Sequence, residues 1–264
     1  MSGNVEAQRA RARLFDREAE RYDRTRPSYP DDLIDDVLGS SPQGLTVLDV
    51  ACGTGIASRA LVKRGAQVLG VELNPRMAEI ARRQGVETEV SAFETWDPAG
   101  RMFDRVTCAQ AWHWLDPVVS IRKVTSVLRE GGRVCLFWSI GSYPDDLADE
   151  MHATYERVAP LGSSGLTIGY GWNRASAPTE DLRPVADALD ACDELGEPQM
   201  TTFPWSRVYS RDEWVDELLS HSDHAALEPE LRQRVVDEVG RTIDRFGGSF
   251  RLSYVSILIS ATRA

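Results

Sequence analysis

Short apolar runs alternate with amphipathic segments along most of the chain. Five of these runs predict β-strands, at residues 46–50, 67–72, 86–90, 105–108 and 133–138. Helix start signals lie between them; in Asn74-Pro75, for example, an asparagine precedes a proline that suits the first helical position. Regular alternation of strands and helices is typical of a mostly parallel sheet with helices on both faces. The pattern therefore predicts an α/β, doubly wound fold.

The alternation is interrupted on both sides of this core. Residues 1–30 predict a helical arm followed by an extended, proline-containing stretch, and residues 140–197 predict helices around a glycine- and serine-rich loop. Strand patterns return near residues 200–205 and 254–261, which brings the predicted sheet to seven strands. We therefore divide the chain into four parts: an arm or lid (1–30), a core (31–139), a helical cap insertion (140–197) and the C-terminal part of the core sheet (198–264).

The composition fits a soluble globular protein. A chain of 264 residues suits one large domain, or one domain with an inserted cap. No apolar run approaches the roughly 18 residues that a membrane-spanning helix requires. The N-terminal stretch is rich in arginine and acids and lacks the apolar segment of a signal peptide. These features predict a cytoplasmic protein with no membrane partner.

The net charge of −11 argues against a nucleic-acid substrate. An acidic protein repels polyphosphate unless it carries a local basic patch. Arginines are concentrated only in residues 9–26, where acidic residues dilute their charge. We therefore predict no nucleic-acid partner.

The cysteines give no sign of a metal site. The four are widely spaced, at Cys52, Cys108, Cys135 and Cys192, and no CxxC pair occurs. Zinc sites and redox motifs usually show such pairs. We predict no metal and expect reduced, mostly buried thiols.

The sharpest chemical signal is the segment VLDVACGTG at residues 47–55, which joins the first strand to the next helix. In a doubly wound sheet a ligand lies beyond the carboxyl ends of the strands, and glycines in this turn let it approach bare backbone. A glycine-rich turn is also compatible with nicotinamide dinucleotide binding or with a simple tight turn. Only two glycines of the dinucleotide fingerprint are present, and Asp49 would repel a pyrophosphate but suit a ligand with an ammonium group. Glu72, at the end of the second strand, can accept hydrogen bonds from both hydroxyls of an adenosine ribose.

Four segments resemble the class I S-adenosylmethionine-dependent methyltransferases: LDVACGTG (48–55), VLGVELNPRM (68–77), FDRVTCAQAWHWLD (103–116) and VLREGGRVCLFW (127–138). The segments at residues 15–30 and 247–263 are similar to the type 11 subgroup, whose members act on small molecules. The resemblance covers most of the chain. It implies a Rossmann-like fold, S-adenosylmethionine as cofactor, S-adenosylhomocysteine as its product, and methyl transfer to an oxygen, nitrogen or carbon atom of a small-molecule acceptor.

The resemblance also implies a cofactor site within the core at residues 31–139. Its predicted members are Asp49, Ala51, Gly53, Gly55, Glu72, Leu73, Phe93, Glu94, Gln110 and Ala111. The glycines would approach the methionyl part of the cofactor, and Glu72 would bind the ribose. Leu73 would contact the adenine, with the backbone of residues 93–94 near its edge. Gln110 and Ala111 would border the reactive methyl group.

The chain departs from the family pattern at two positions. Ala51 stands where the family more often has a glycine, and Ala92 stands where an aspartate often meets the adenine amino group. Adenine recognition would then depend on backbone groups. Alternative roles remain for two acids: Asp49 as a helix-capping carboxylate and Glu72 as a solvated acid at a strand end.

The candidate catalytic residue is His113, which lies between two tryptophans after the fourth strand. An imidazole titrates near neutrality and can act as a general base, but a histidine flanked by two tryptophans can equally be a packed residue. We favour packing, and thus an enzyme that acts mainly by positioning its substrates for in-line displacement. His152, His221 and His224 are predicted to lie on the surface. Seven side chains are candidates for an acceptor pocket beneath the cap: Tyr22, Arg26, Tyr29, Trp138, Tyr170, Trp172 and Trp205.

Two other functions stay open at this stage. A non-catalytic protein could retain the fold and bind S-adenosylmethionine without chemistry, because function depends on the site and not on the fold. A dinucleotide-dependent oxidoreductase is the second alternative, which Asp49 and the missing third glycine disfavour. Binding of S-adenosylmethionine against NAD, followed by a test for methyl transfer, distinguishes the three.

Overall fold

The computed structural model describes residues 18–159 and 178–264, which form one seven-stranded sheet flanked by helices. The strands are β1 (Thr46–Val50), β2 (Gln67–Glu72), β3 (Glu87–Val90), β4 (Phe103–Ala109), β5 (Leu128–Ser142), β6 (Gln199–Ser210) and β7 (Ser249–Thr262). Their order across the sheet is β3-β2-β1-β4-β5-β7-β6. The first five pair in parallel, and β7 pairs antiparallel with both β5 and β6. The predicted doubly wound, mostly parallel, seven-stranded fold is confirmed.

The described α-helices occupy both faces and the end of the sheet. They are α1 (Ala19–Thr25), α2 (Asp31–Leu38), α3 (Ile56–Lys63), α4 (Pro75–Arg83), α5 (Pro117–Val127), α6 (Asp145–Val158), α7 (Pro178–Asp181), α8 (Arg183–Asp190), α9 (Arg211–Leu218), α10 (Ser222–Ala225) and α11 (Pro229–Arg245). Among these described helices, none is long and apolar enough to cross a membrane.

Local sequence signals set several of the helix starts. The Asn74 side chain accepts hydrogen bonds from the first backbone amides of α4, and Asp116 does the same for α5. Ser210 and Glu213 form a reciprocal capping box at the start of α9. Each cap satisfies backbone amides that a helix leaves without partners, which fixes where the chain turns from strand to helix.

Apolar side chains fill three main layers. One cluster lies between the parallel strands and α5 with α8, and includes Val106, Val124 and Leu189. A second lies on the opposite face beneath α2 and α3. The third covers the outer part of the β6–β7 hairpin with α6, α9 and α11, centred on the fully buried Trp214. The sheet thus carries core on both faces, as a doubly wound fold requires.

The antiparallel strands are longer than the sequence pattern predicts. β6 covers residues 199–210 instead of 200–205, and β7 covers 249–262 instead of 254–261. Serines, threonines and arginines alternate with apolar residues in these extensions, because only one face of the hairpin is covered. In β7 the apolar run therefore marks only the part of the strand that is buried on both faces.

Candidate cofactor and acceptor site

A cavity of about 810 Å³ opens at the carboxyl ends of the parallel strands. It lies between β1 and β4. From β1 the chain continues outward to β2 and β3 on one side, and it then crosses to β4 on the other side, so this is the switch point of the sheet. Its walls come from the turn after β1, the ends of β2, β4 and β5, the α1–α2 segment and the α9–α10 region. Eight of the ten predicted cofactor residues line this cavity: Ala51, Gly53, Glu72, Leu73, Phe93, Glu94, Gln110 and Ala111.

The turn after β1 depends on left-handed backbone at three positions. Ala51, Gly53 and Gly55 have φ angles of 51°, 58° and 84°. A Cβ atom on Gly53 would have only the Cε atom of Met77 within 4 Å, at 3.8 Å, so this residue presents open backbone to the cavity. Ala51 adopts a conformation that glycine accepts more easily, so the turn tolerates alanine there at some cost in strain.

Gly55 has a packing role instead of a cavity role. A Cβ atom there would approach Val86 at 3.2 Å and Ala81 at 3.3 Å, which is tighter than ordinary van der Waals contact. Gly55 also lies outside the cavity lining. The absence of a side chain therefore lets the start of α3 approach α4 closely.

Glu72 ties the end of β2 to the glycine turn. Its Oε2 accepts a hydrogen bond from the backbone amide of Gly53 at 2.8 Å, and its Oε1 accepts one from the amide of Asn74 at 2.7 Å. The side chain is 6% exposed, and burial raises the pKa of its carboxyl group. The alternative that Glu72 is a solvated acid at a strand end is therefore wrong, because both of its carboxylate oxygens are held within the cavity wall.

Asp49 lies beneath the turn and does not line the cavity. It is fully buried, and its carboxylate accepts hydrogen bonds from the hydroxyls of Ser58 at 2.5 Å and Thr107 at 2.9 Å. Burial raises the pKa of Asp49 to about 6, against the hydrogen bonds from these two residues. The structure thus corrects the expectation of direct ligand contact: the side chain points toward the first turn of α3, as in the capping alternative.

The walls expected around adenine combine apolar side chains with backbone. Leu73, Ala92 and Phe93 line the cavity, and Phe93 stacks on Trp96 at 6.5 Å between ring centroids. Glu94 accepts a hydrogen bond from the Asp116 amide at 3.2 Å, which links this wall to the start of α5. Ala92 supplies no side-chain acceptor, as the sequence indicates.

Gln110 joins the ends of β4 and β5. Its amide nitrogen donates a hydrogen bond from the side chain to the carbonyl oxygen of Ser139 at 3.0 Å, and its backbone amide donates to Phe137 at 2.9 Å. Its φ angle is 60°, which is uncommon for a residue with a side chain. Such strain persists only when the surroundings hold it in place, and it is frequent near functional sites.

His113 lies at the rim of the cavity with an exposed side chain. Only Trp112 of the two flanking tryptophans is fully in the core; Trp114 is partly buried, with its ring 5.2 Å from that of His113. The favoured prediction of a packed histidine is therefore wrong. In a short 3-10 turn three residues project in three directions, so one of the three faces the core and another faces solvent.

Three predicted acceptor residues line the cavity and two do not. Tyr22, Arg26 and Tyr29 contribute to the wall from the α1–α2 segment. Trp138 is instead buried in the core between the sheet and α5, and Trp205 stacks on Tyr254 at 4.1 Å. Both lie on sheet strands and neither lines the cavity, which their residue type alone does not reveal. Tyr170 and Trp172 lie outside the described residues.

The sequence missed one wall of the cavity altogether. His221, Asp223 and Tyr254 line it, although a surface position was predicted for His221 and His224. The two histidines are only 6% and 5% exposed. Both lie in a polar run, SHSDH at residues 220–224, which is typical of a solvated turn. His221 and His224 are three residues apart and His221 follows Leu218 by three, a spacing that places all three on one helical face and was the available signal that they point inward.

The described helices of the predicted cap do not cover this opening. Within residues 143–159 and 178–197, no residue lines the cavity. α6 packs on α11, with Thr154 and Thr242 joined by a hydroxyl hydrogen bond of 2.8 Å, and α8 packs on α5. The Gly162–Gly171 loop lies outside the described residues, so the cap itself stays a prediction.

The α1 arm is fixed by ion pairs to both sides of the cavity. Toward the β1–β3 side, α1 residues pair with helices α3 and α4, in the pairs Asp23–Arg59, Glu20–Arg76 and Glu20–Arg83. Toward the C-terminal side, the pairs are Arg21–Asp216, Arg24–Asp216 and Glu18–Arg232. The arm therefore bridges the two sides, and the residues that follow it face the cavity.

In the described part of the chain, no group of three or more histidine, cysteine, aspartate or glutamate residues is arranged to hold a metal ion.

Residues 47–132 match a family described as a methyltransferase domain. The chain is 28% identical, over 92% of its length and 93% of the relative's, to an uncharacterized methyltransferase of Mycobacterium tuberculosis H37Rv. It is 36% identical to a ubiquinone biosynthesis O-methyltransferase of Xanthomonas axonopodis pv. citri, over 36% of this chain and 43% of that protein. The structure of a methyltransferase from Anaeromyxobacter dehalogenans, described as type II, shares the fold, with a TM-score of 0.63 and 19% identity over 89% of this chain and 97% of that chain.

Proposed function

We propose that the chain is a class I methyltransferase that binds S-adenosylmethionine in this cavity and transfers the methyl group to a small-molecule acceptor; the match of residues 47–132 to a methyltransferase domain supports this. The observation that carries the proposal is the open backbone of Gly53 beside the Glu72 carboxylate at the switch point. A sulfonium cofactor supplies an activated methyl carbon, so the protein needs mainly to align an acceptor with it.

The residues present fit such a cofactor. The Glu72 carboxylate accepts backbone hydrogen bonds from Gly53 and Asn74 and, with about four acceptor sites in all, can also accept a ribose hydroxyl. Leu73 and Phe93 offer apolar surface to the adenine, and Gln110 with Ala111 closes the cavity at the end of β4. Asp49 acts from below: a buried carboxylate in a region of low dielectric favours a cation above it without touching it.

The cavity size supports a small acceptor. A volume of about 810 Å³ lies within the range of roughly 300–1,000 Å³ that is usual for small-molecule sites. This volume has to contain both the cofactor and the acceptor. Tyrosine and tryptophan rings from three parts of the chain line it, among them Tyr22, Tyr29 and Trp114, which suits a flat acceptor.

Transfer of an isotope-labelled methyl group tests this function directly. The protein is incubated with S-adenosylmethionine carrying a deuterated methyl group and a panel of hydroxyl, amine and carboxylate metabolites. Mass spectrometry is expected to find the labelled methyl on one acceptor class, with S-adenosylhomocysteine formed in equal amount. Tight cofactor binding without transfer to any class would instead support the non-catalytic alternative.

The ion pairs of the α1 arm lead to a prediction about its opening. We propose that residues 1–30 form a lid whose described part is held by its ion pairs. Asp216→Ala removes the partner of both Arg21 and Arg24 and is expected to favour arm opening by about 1 kcal/mol, or fivefold, because paired surface charges contribute up to about that much. Hydrogen exchange of residues 19–25 measures this change. Asp212→Ala on the same helix, which leaves these pairs intact, is the control; equal exchange in both variants would contradict the role of the pairs.

The exposed position of His113 leads to a prediction about stability. His113→Ala is expected to change the free energy of unfolding by less than about 0.5 kcal/mol, because exposed side chains contribute little. Trp112→Ala, which empties a buried site one residue away, is expected to cost about 3–5 kcal/mol. Urea unfolding of the two variants measures both values. Substitutions at exposed positions usually change stability by less than this, so a loss of about 1 kcal/mol or more in His113→Ala would indicate that His113 is packed after all.

A further inference from the structure

The α9–α10 region places an imidazole in the wall of the cavity, beside the arm. We propose that His221 is the general base that takes the proton from a phenol-type hydroxyl acceptor during methyl transfer. This inference depends on the proposed function and adds to it the acceptor class and the residue that receives the proton. It stands on the position of His221 in the cavity wall and on the polar groups that surround it.

His221 lies at the junction of three segments. Glu217, one helical turn earlier, is fully buried and has its Oε1 atom 4.0 Å from Nε2 of His221. Ser220, the residue before His221 and fully buried, accepts a hydrogen bond from Nε of Arg26 at 3.1 Å and donates one to the Glu217 carbonyl oxygen at 2.6 Å. Arg26 of the arm and Glu217 of α9 therefore both lie close to the imidazole, and burial raises the pKa of Glu217.

A buried chain of hydrogen bonds supports the wall from behind. The Oδ1 atom of Asp223 lies 2.8 Å from Nδ1 of His224, and Nε2 of His224 lies 2.8 Å from the Tyr155 hydroxyl on α6. Asp223 itself lines the cavity beside His221. The rings of His221 and His224 are 5.9 Å apart. Asp223, His224 and Tyr155 are therefore positioning residues: they fix the short α10 helix and, with it, the direction of the His221 ring.

The surroundings keep His221 neutral until it receives a proton. Burial lowers the pKa of His221 well below its usual range, and the nearby Arg26 and His224 lower it further, whereas Asp223 raises it. The imidazole therefore has a lone pair at neutral pH. Once protonated, it lies near the carboxylate of Asp223, which stabilises an imidazolium ion.

The lining of the wall and the weak basicity of His221 together select among acceptors. A carboxylate needs no base. An aliphatic alcohol is far less acidic than a phenol, so an imidazole of lowered basicity suits the phenol better. An alkylammonium and a phenol have similar acidity, and here the aromatic rings of Tyr29, Trp114 and Tyr254 favour the phenol because they offer it a matching surface. The wall therefore fits a neutral aromatic hydroxyl.

The step conserves charge and atoms. The hydroxyl oxygen forms a bond to the methyl carbon while its proton passes to a ring nitrogen of His221. The carbon–sulfur bond breaks and leaves its electron pair on sulfur, so that the sulfonium becomes a neutral thioether. The imidazolium later returns its proton to water.

The test uses phenols of different acidity. Wild type and His221→Gln are assayed with deuteromethyl-labelled S-adenosylmethionine and either 4-methylcatechol or the more acidic 4-nitrocatechol. His221→Gln is expected to lower kcat for 4-methylcatechol by about 10²-fold, and to lower it by less than about threefold for 4-nitrocatechol, which is largely ionised already. His152→Gln, at an exposed position on α6, is the matched control and should leave both rates unchanged.

Other results would overturn the inference. An equal loss of kcat for both phenols in His221→Gln would indicate a structural role. If instead His113→Gln loses activity only with the less acidic phenol, His113 at the rim is the base. A wild-type enzyme that methylates amines or carboxylates but neither phenol also overturns it, while the proposed function stands. Absence of cofactor binding, measured by calorimetry, refutes the proposed function itself.

A second measurement does not require turnover. Nitrogen-15 spectra of the imidazoles are recorded with S-adenosylhomocysteine present while 4-methylcatechol is added. The resonances of His221, assigned by their loss in His221→Gln, are expected to shift more than those of His113 and His152. Unmoved His221 resonances at saturating 4-methylcatechol would contradict contact between the two.

Discussion

Between about pH 4 and about pH 6 the wild-type protein is expected to lose about 3 kcal/mol of unfolding free energy relative to Asp49→Asn. Burial raises the pKa of Asp49 from 3.8 to about 6 in the folded protein, so the folded carboxyl keeps its proton to higher pH than the unfolded one. The stabilisation is complete below about pH 4 and decreases as pH rises toward the folded value, because only the unfolded chain has then released the proton. Above about pH 6 the difference becomes constant.

Urea unfolding at several pH values measures this difference. The comparison removes contributions from other groups, since they titrate in both proteins. Asp190→Asn, at an exposed position at the end of α8, is the control and should follow the wild-type curve. A difference between wild type and Asp49→Asn that does not change with pH would contradict the buried, weakly acidic carboxyl beneath the turn.

Loss of the Glu72 carboxylate is expected to weaken S-adenosylhomocysteine binding by about 1.5–3 kcal/mol, or about 10- to 150-fold. The carboxylate would accept the ribose hydroxyls, and it also holds the Gly53 amide in the turn at 2.8 Å. Glu72→Ala removes both interactions, whereas Glu79→Ala, an exposed acid on α4, should leave affinity unchanged. Isothermal calorimetry measures the three affinities.

A cycle with a deoxyribose analogue separates the two effects of Glu72. If the carboxylate contacts the 2′-hydroxyl, the analogue lacking that hydroxyl should bind wild type weakly, and Glu72→Ala should weaken binding of the analogue by less than it weakens binding of S-adenosylhomocysteine. Independent, additive losses would indicate that Glu72 acts only through the glycine turn.

The parallel core was predictable from the sequence because its signals are local. Strands buried on both faces appear as continuous apolar runs, and Asn74 and Asp116 mark the helix starts by their own hydrogen bonds. These features place the turn at residues 51–55 and the acid at the end of β2 on one edge of the sheet. The position of a ligand site follows from that topology without any knowledge of side-chain packing.

The acceptor wall was not predictable because it depends on long-range contacts. His221 is buried by the arm, by Glu217 and by the Asp223–His224–Tyr155 chain, which join parts of the sequence far apart from one another. The depth of Asp49 likewise depends on which face of β1 it occupies, and a strand buried on both faces carries no alternation that would reveal this. Residue type alone also failed for Trp138, since tryptophan suits a core and a pocket equally.

Calorimetric titration of the wild-type protein with S-adenosylmethionine and, separately, with NAD tests the central claim most directly. The cavity, with open backbone at Gly53 and the Glu72 carboxylate at the end of β2, predicts binding of one S-adenosylmethionine per chain and no measurable binding of NAD. Tighter binding of NAD than of S-adenosylmethionine would contradict the assignment of this cavity to a methyl-donating cofactor.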